Sequence, residues 1–139
     1  MEMSEPDQRQ RFADARVLRL STANAQGEPH LVPATFAVLG DRVAIAVDHK
    51  PKRHGNLKRL RNIQENPAVS LLVDHFDEDW EQLWWVRADG RAKVLENVDA
   101  DELVQALLSK YDQYREQRPS GPVIEIRVSR WSGWVARSD

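Results

Sequence analysis

Apolar and polar residues alternate along most of this chain, and a period of two marks half-buried strands. Arg16 to Ala23 reads as the first strand. Asn24 to Glu28 is a turn in which Gly27 supplies a positive φ. Pro29 to Val38 is the second strand; Val32, Ala34, Phe36 and Val38 share one face, and Leu31, Pro33, Thr35 and Ala37 the other. After a turn at Leu39-Gly40-Asp41, Arg42 to Asp48 forms a third, with Val43, Ile45 and Val47 on one face. The connections are too short for crossover helices, so these three predict an antiparallel meander. Ala68 to Phe76, Leu83 to Leu95 and Val123 to Ser129 complete a predicted set of six strands. Gly90 inside the long strand predicts a bulge or bend, because strand character resumes at once.

The period changes to that of a helix in two places. Leu57, Leu60 and Ile63 predict a helix over Asn56 to Glu65, stopped by Asn66-Pro67. Leu103, Leu107, Tyr111 and Tyr114, widened by Val104 and Leu108, predict one helix over Asp99 to Gln117, capped by Asp99 with Glu102. Residues 4–14 predict a short polar helix or arm; Ser4 is its candidate cap and Asp7 lies three residues on. These lengths predict a single domain over residues 1–139, an antiparallel β-barrel with helices on its rim. An α+β sandwich is the competing arrangement.

Charge changes this picture most in one segment. Lys50, Lys52, Arg53, Lys58, Arg59 and Arg61 lie between Asp48 and Glu65 with no acid among them. The whole chain carries a net charge of −2, so with +6 in this run the remainder carries −8. A strand that delivers cations and backbone N–H groups onto a helix start is a natural seat for a phosphate. Gly55 allows close backbone approach. The acidic remainder argues against a dedicated nucleic-acid binder. Lys58, Arg59 and Arg61 also fit the wet side of an ordinary helix.

The 139 residues are 41% apolar and 30% charged, the balance of a globular domain with a core of its own. No apolar run approaches 18 residues, and Met1 to Asp14 is polar, unlike a signal peptide; a cytoplasmic location is the expectation. The absence of cysteine excludes disulfides and thiolate chemistry. His30, His49, His54 and His75 have no metal-ligand spacing, and Asp77-Glu78-Asp79 reads as a surface loop. Ser21, Ser70 and Ser132 lack a nucleophile elbow. No acid–base pair stands out, which suits an enzyme whose cofactor performs the chemistry. The five tryptophans, Trp80, Trp84, Trp85, Trp131 and Trp134, all lie in the second half and serve cores, interfaces and flat ligands alike. Trp84 and Trp85 are adjacent in a strand and point to opposite faces.

Three segments carry a resemblance. Val17-Leu18-Arg19-Leu20-Ser21-Thr22 is followed by Gln26-Gly27-Glu28-Pro29-His30-Leu31-Val32-Pro33. The third strand leads through Lys50-Pro51-Lys52-Arg53 and an Asn56-Leu57 helix to Asn66-Pro67 and Val69-Ser70-Leu71-Leu72. Val86 is followed by Gly90-Arg91-Ala92-Lys93-Val94. In order and spacing these resemble the pyridoxamine 5′-phosphate oxidase-like split β-barrel family, and within it the branch that uses the deazaflavin coenzyme F-420. The resemblance implies a six-stranded antiparallel split barrel and a homodimer with the cofactor in a groove between subunits. It further implies an oxidoreductase that transfers hydride to a small organic substrate, with F-420 as cofactor and FMN as the alternative. A non-catalytic carrier or sensor of flavin or haem is the competing function.

Carried over residue by residue, the resemblance places Val32, Pro33 and Ala34 along the ring edge, with Val47 and Asp48 at the end of the third strand. Lys50, Lys52 and Arg53 match the phosphate-binding loop, Trp85 a ring contact and Trp131 an aromatic at the distal part of the site. The basic segment is longer than in the simplest members, so either Arg53 or Arg59 takes the main phosphate position. The C-terminal segment lacks the arginine signature of true pyridoxamine phosphate oxidases, which argues against vitamin-B6 oxidation.

Overall fold

The computed structural model describes residues 1–47 and 54–137, with the side chains of 54–57 excepted. Seven antiparallel strands form one sheet: β1 (Leu18–Ala23), β2 (Pro29–Ala34), β3 (Ala37–Leu39), β4 (Arg42–Ala46), β5 (Ala68–His75), β6 (Trp84–Leu95) and β7 (Val123–Val135). Their order is β2-β1-β5-β6-β7-β4-β3. The two edge strands, β2 and β3, are therefore consecutive in the chain. Ala34 and Ala37 are three residues apart, a span of at most about 11 Å. The sheet must roll up until its edges approach. Among the described residues no ladder joins them, so the sheet is not closed.

This corrects the six-stranded expectation. The predicted strand Pro29 to Val38 is two strands, broken at Thr35-Phe36. Two tyrosines hydrogen-bond to the chain at the break. The Phe36 N–H donates to the Tyr111 hydroxyl at 3.2 Å, and Thr35 Oγ1 and the Tyr114 hydroxyl share a hydrogen bond of 2.7 Å. Phe36 turns its ring into the core and is fully buried.

The helices are α1 (Glu5–Asp14), α2 (His54–Glu65), α3 (Asp101–Lys110) and α4 (Asp112–Glu116). Ser4 caps α1 as expected, accepting from the Asp7 N–H at 3.3 Å. The long helix expected over Asp99 to Gln117 is divided. Tyr111 adopts an extended backbone (φ −122°, ψ 125°) between α3 and α4. Its hydroxyl donates to the Arg16 carbonyl at 2.8 Å besides accepting from Phe36. Pinning that ring interrupts the helix, a tertiary demand that periodicity does not carry. The Asp99–Glu102 cap is also absent, because Asn97–Asp99 forms a 3-10 turn and Ala100 precedes α3 without a side-chain cap.

The inward residues of β1, β4, β5, β6 and β7 form the main core, with Leu20, Ile45, Leu71, Val86 and Ile126 buried. Phe12 of α1 plugs one end, its ring 5.2 Å from both Phe36 and Trp131 in edge-to-face contact. Each such buried side chain contributes about 1.5–3 kcal/mol of transfer free energy. A second core lies where Leu103, Val104 and Leu107 of α3 cover Ala37 and Ala44. α2 contributes Ile63 to the main core, and Asn62 donates to Thr22 Oγ1 at 3.1 Å.

The bulge predicted at Gly90 is present. β6 and β7 change register between Asp89 and Gly90, and Ser129, the extra residue of β7, donates to the Asp89 carbonyl at 3.1 Å. A Cβ on Gly90 would lie 2.2 Å from the Arg127 carbonyl oxygen, so a side chain there collides with β7 itself. β7 runs on to Val135, beyond the Ser129 end expected from the sequence, and carries Trp131 and Trp134 within the sheet. Among the described residues, no helix is long and apolar enough to cross a membrane.

Candidate functional site

The strands that bury Leu18, Leu20, Leu71, Val73, Val86 and Ala88 inward turn their alternate residues outward. Register aligns those outward residues in rows. Pro33, Arg19, Leu72, Arg87 and Ser132 lie opposite one another across β2, β1, β5, β6 and β7. One row over come Leu31, Ser21, Ser70 and Asp89. On the other side lie Asp74, Trp85 and Trp134. Between these rows the outer face is hollowed into a groove of about 680 Å³, lined also by Phe76 and Leu83. That volume lies in the ordinary range of small-molecule sites, about 300–1,000 Å³.

Four large apolar residues that line the groove are exposed. Leu31 is 66% exposed, Phe76 65%, Trp134 38% and Leu72 36%. Set among them, Arg87 donates through Nε to Asp89 at 3.2 Å, and Asp89 also accepts a short hydrogen bond from the Ser70 hydroxyl. The Arg87 guanidinium lies 5.8 Å from the centre of the Trp85 ring. The groove passes into a more polar hollow of about 520 Å³ that shares Ser21 and Ser70 and adds Ser129 and Arg91.

The residues expected at the site fall on both sides of the sheet. Pro33 and Trp85 face outward, and Trp85 lines the groove. Val32 and Ala34 are half-buried and pack on the main core. They can meet a ligand only through the backbone of β2, an edge strand whose free side pairs with no strand among the described residues. Val47 is buried, its N–H donating to the Pro122 carbonyl at 3.0 Å. Trp131 lies on the inner side against Phe12, with the Arg9 guanidinium 5.2 Å from its ring centre. Arg59 is buried in α2, and desolvation lowers its guanidinium pKa from the ordinary value. Asp48, Lys50, Lys52 and Arg53 lie outside the described residues.

One chain thus assembles an apolar groove with Trp85 on its wall, while Val32, Ala34, Val47 and Trp131 point elsewhere. Arg19, Leu72, Phe76 and Arg87 were not expected at a site. A signal for them exists: in β1, β5 and β6 the outward positions carry Arg19, Leu72 and Arg87 at one level, but only the pairing register reveals it.

A family model described as pyridoxamine 5′-phosphate oxidase matches residues 4–135, nearly the whole chain. The chain belongs to the pyridoxamine 5′-phosphate oxidase family. A reductase of 5a,11a-dehydrotetracycline and 5a,11a-dehydrooxytetracycline from Streptomyces rimosus is 36% identical over 56 residues. That match takes in 40% of this chain and 38% of the reductase, so the chain spans well under half of that relative. Solved structures of the same fold include an FAD-binding protein of Mesorhizobium loti, 21% identical with a TM-score of 0.71, covering 96% of this chain and 95% of that one. HutZ, the haem storage protein of Vibrio cholerae, is 19% identical with a TM-score of 0.67, covering 94% and 93%. At these identities the likeness to the two solved structures is one of fold.

Proposed function

We propose that this chain is a cytoplasmic oxidoreductase that binds a flavin-type cofactor, F-420 in preference to FMN, and reduces a small conjugated substrate. The observation that carries the reading is the outward groove of a pyridoxamine 5′-phosphate oxidase-family barrel, floored by Leu72 and walled by Trp85 and Trp134. These residues fit a flat tricyclic ring: one aliphatic surface, two indoles and a volume that exceeds the ring alone. The partial likeness to a reductase and the FAD-binding fold neighbour support the same class of chemistry.

When bound, the cofactor supplies the hydride chemistry. The chain's own residues bind and orient. Trp85 stacks, Leu72 excludes water, and the free edge of β2 at Val32 to Ala34 offers backbone groups to the ring's polar rim. The cations Lys50, Lys52 and Arg53 are assigned the phosphate, with Arg59 their competitor. A second copy of the chain is assigned the exposed rim at Leu31, Phe76 and Trp134, which roofs the groove and brings further residues to it.

The test is titration of apo-protein with F-420 and with FMN, followed by quenching of tryptophan fluorescence. Low-micromolar binding of F-420, tighter than FMN, is expected; failure of both to bind below about 100 µM overturns the reading. Binding without consumption of reduced cofactor across a substrate panel favours the non-catalytic carrier or sensor; a haem storage protein, HutZ, shares this fold.

A further inference from the structure

We propose that Arg19 is an anion-recognition residue, so that the ligand class of the groove is a flat conjugated molecule bearing an acidic group such as a carboxylate or an enolate. The inference rests on the groove being a ligand site, as proposed above, and adds what it selects.

The two groove arginines differ in their surroundings. Arg87 is already neutralised by Asp89, itself held by Ser70. Arg19 makes no hydrogen bond or ion pair with any described residue. It stands between Pro33 and Leu72 in its own row, so its in-register neighbours on both sides are apolar. Asp74 and Asp89 are the carboxylates of this face, and neither forms an ion pair with Arg19.

A lone arginine on a strand is ordinarily a solvated surface charge. Here it sits within a groove where a bound flat ligand displaces water from both flanks. Attraction between charges rises as the local dielectric falls. The planar guanidinium also offers a two-pronged donor set that matches a carboxylate or a pair of enolate oxygens. Trp85 and Trp134 then hold the ring while Arg19 fixes which end of it is acidic. A neutral molecule of the same shape gains the apolar contact alone.

The probes are 1-anilinonaphthalene-8-sulfonate and its neutral analogue N-phenyl-1-naphthylamine, which share a ring system and differ by the sulfonate. Fluorescence titration of the full chain is expected to show the anion bound at least tenfold tighter. Arg19→Gln removes that preference while leaving the neutral probe within twofold, and Arg19→Lys restores part of it. Arg87→Gln, whose charge is already paired, changes the preference by less than Arg19→Gln does. Circular dichroism and the unfolding midpoint confirm that each variant is folded. Equal affinity for the two probes, or an unchanged preference in Arg19→Gln, overturns the proposal. Loss of cofactor binding with the preference intact removes the redox reading and leaves this site standing. Intact cofactor binding without the preference removes this inference alone.

Discussion

The two faces of β1, β5 and β6 are built from alternate residues of the same segments, yet they solve different problems. Inward, Leu18, Leu20, Leu71, Val73, Val86 and Ala88 are almost wholly buried within one chain. Outward, Arg19, Leu72, Asp74, Trp85 and Arg87 leave apolar area exposed, and Arg19 has no ion-pair partner among the described residues. The inner face is complete as it stands. The outer face leaves large apolar side chains exposed, the area that the proposed ligand and second copy would cover. The strands thus separate stability from recognition by a single step along the chain, since moving one residue moves a side chain to the opposite face.

The strongest way to break this division is to damage the inner face and look for an effect on the outer one. Phe36→Ala removes a fully buried ring that packs on Phe12 and reaches the main core from the break between β2 and β3. It is expected to lower the unfolding free energy by about 3–5 kcal/mol. The readout is a urea unfolding curve with unchanged slope and an earlier midpoint. Anilinonaphthalene sulfonate affinity, measured where the variant is fully folded, should stay within about threefold of the original. A loss of less than about 1 kcal/mol would mean the break is not anchored through this ring.

A smaller and opposite effect is expected from Trp134→Ala. Its indole lies beside Trp85 on the outer face and is more than a third exposed. Unfolding free energy should change by less than about 1 kcal/mol, as for surface substitutions generally. Groove ligands should bind about tenfold more weakly, the loss of one aromatic contact with a bound ring. The reverse result, a large loss of stability with binding intact, would place Trp134 in the fold and remove it from the site.

The inner face was more legible in the sequence than the outer one, for a physical reason. Apolar alternation records burial, so β1, β4, β5 and β6 lie within two residues of their expected bounds, and the Gly90 bulge followed from glycine inside a strand. Contacts that depend on tertiary geometry were not recorded. Tyr111 belonged to a helical stripe, and only its hydroxyl bonds to Arg16 and Phe36 explain why the helix stops there. Trp131 and Trp85 looked like comparable aromatics, but the bulge and register put one inside and one outside. Arg19 and Arg87 are 68 positions apart in sequence, and only two intervening ladders place them in one row.

The smallest expected effect concerns the seam that sits between the two faces, where α3 meets the β2–β3 break. Lys110 donates to the Ala15 carbonyl at 2.6 Å, and its ammonium lies 3.7 Å from the centre of the Phe36 ring. Burial, chiefly, and then the neighbouring Arg16 charge lower its pKa from 10.5 to about 8, against a smaller opposing pull from Asp14. Because the folded-state value lies below the unfolded one, the unfolded chain binds more protons between about pH 8 and 10.5. Stability attributable to Lys110 therefore rises with pH across that window and is flat below it, where both states are protonated. The group is half-exposed, so solvent softens the effect. Thermal midpoints of the native chain and Lys110→Met, taken from pH 7 to 10.5, should diverge by a few degrees at most, with the native chain gaining on the variant as pH rises. A difference that falls with pH would mean that the ammonium stabilises the seam, and that its contact with the Phe36 ring outweighs its desolvation.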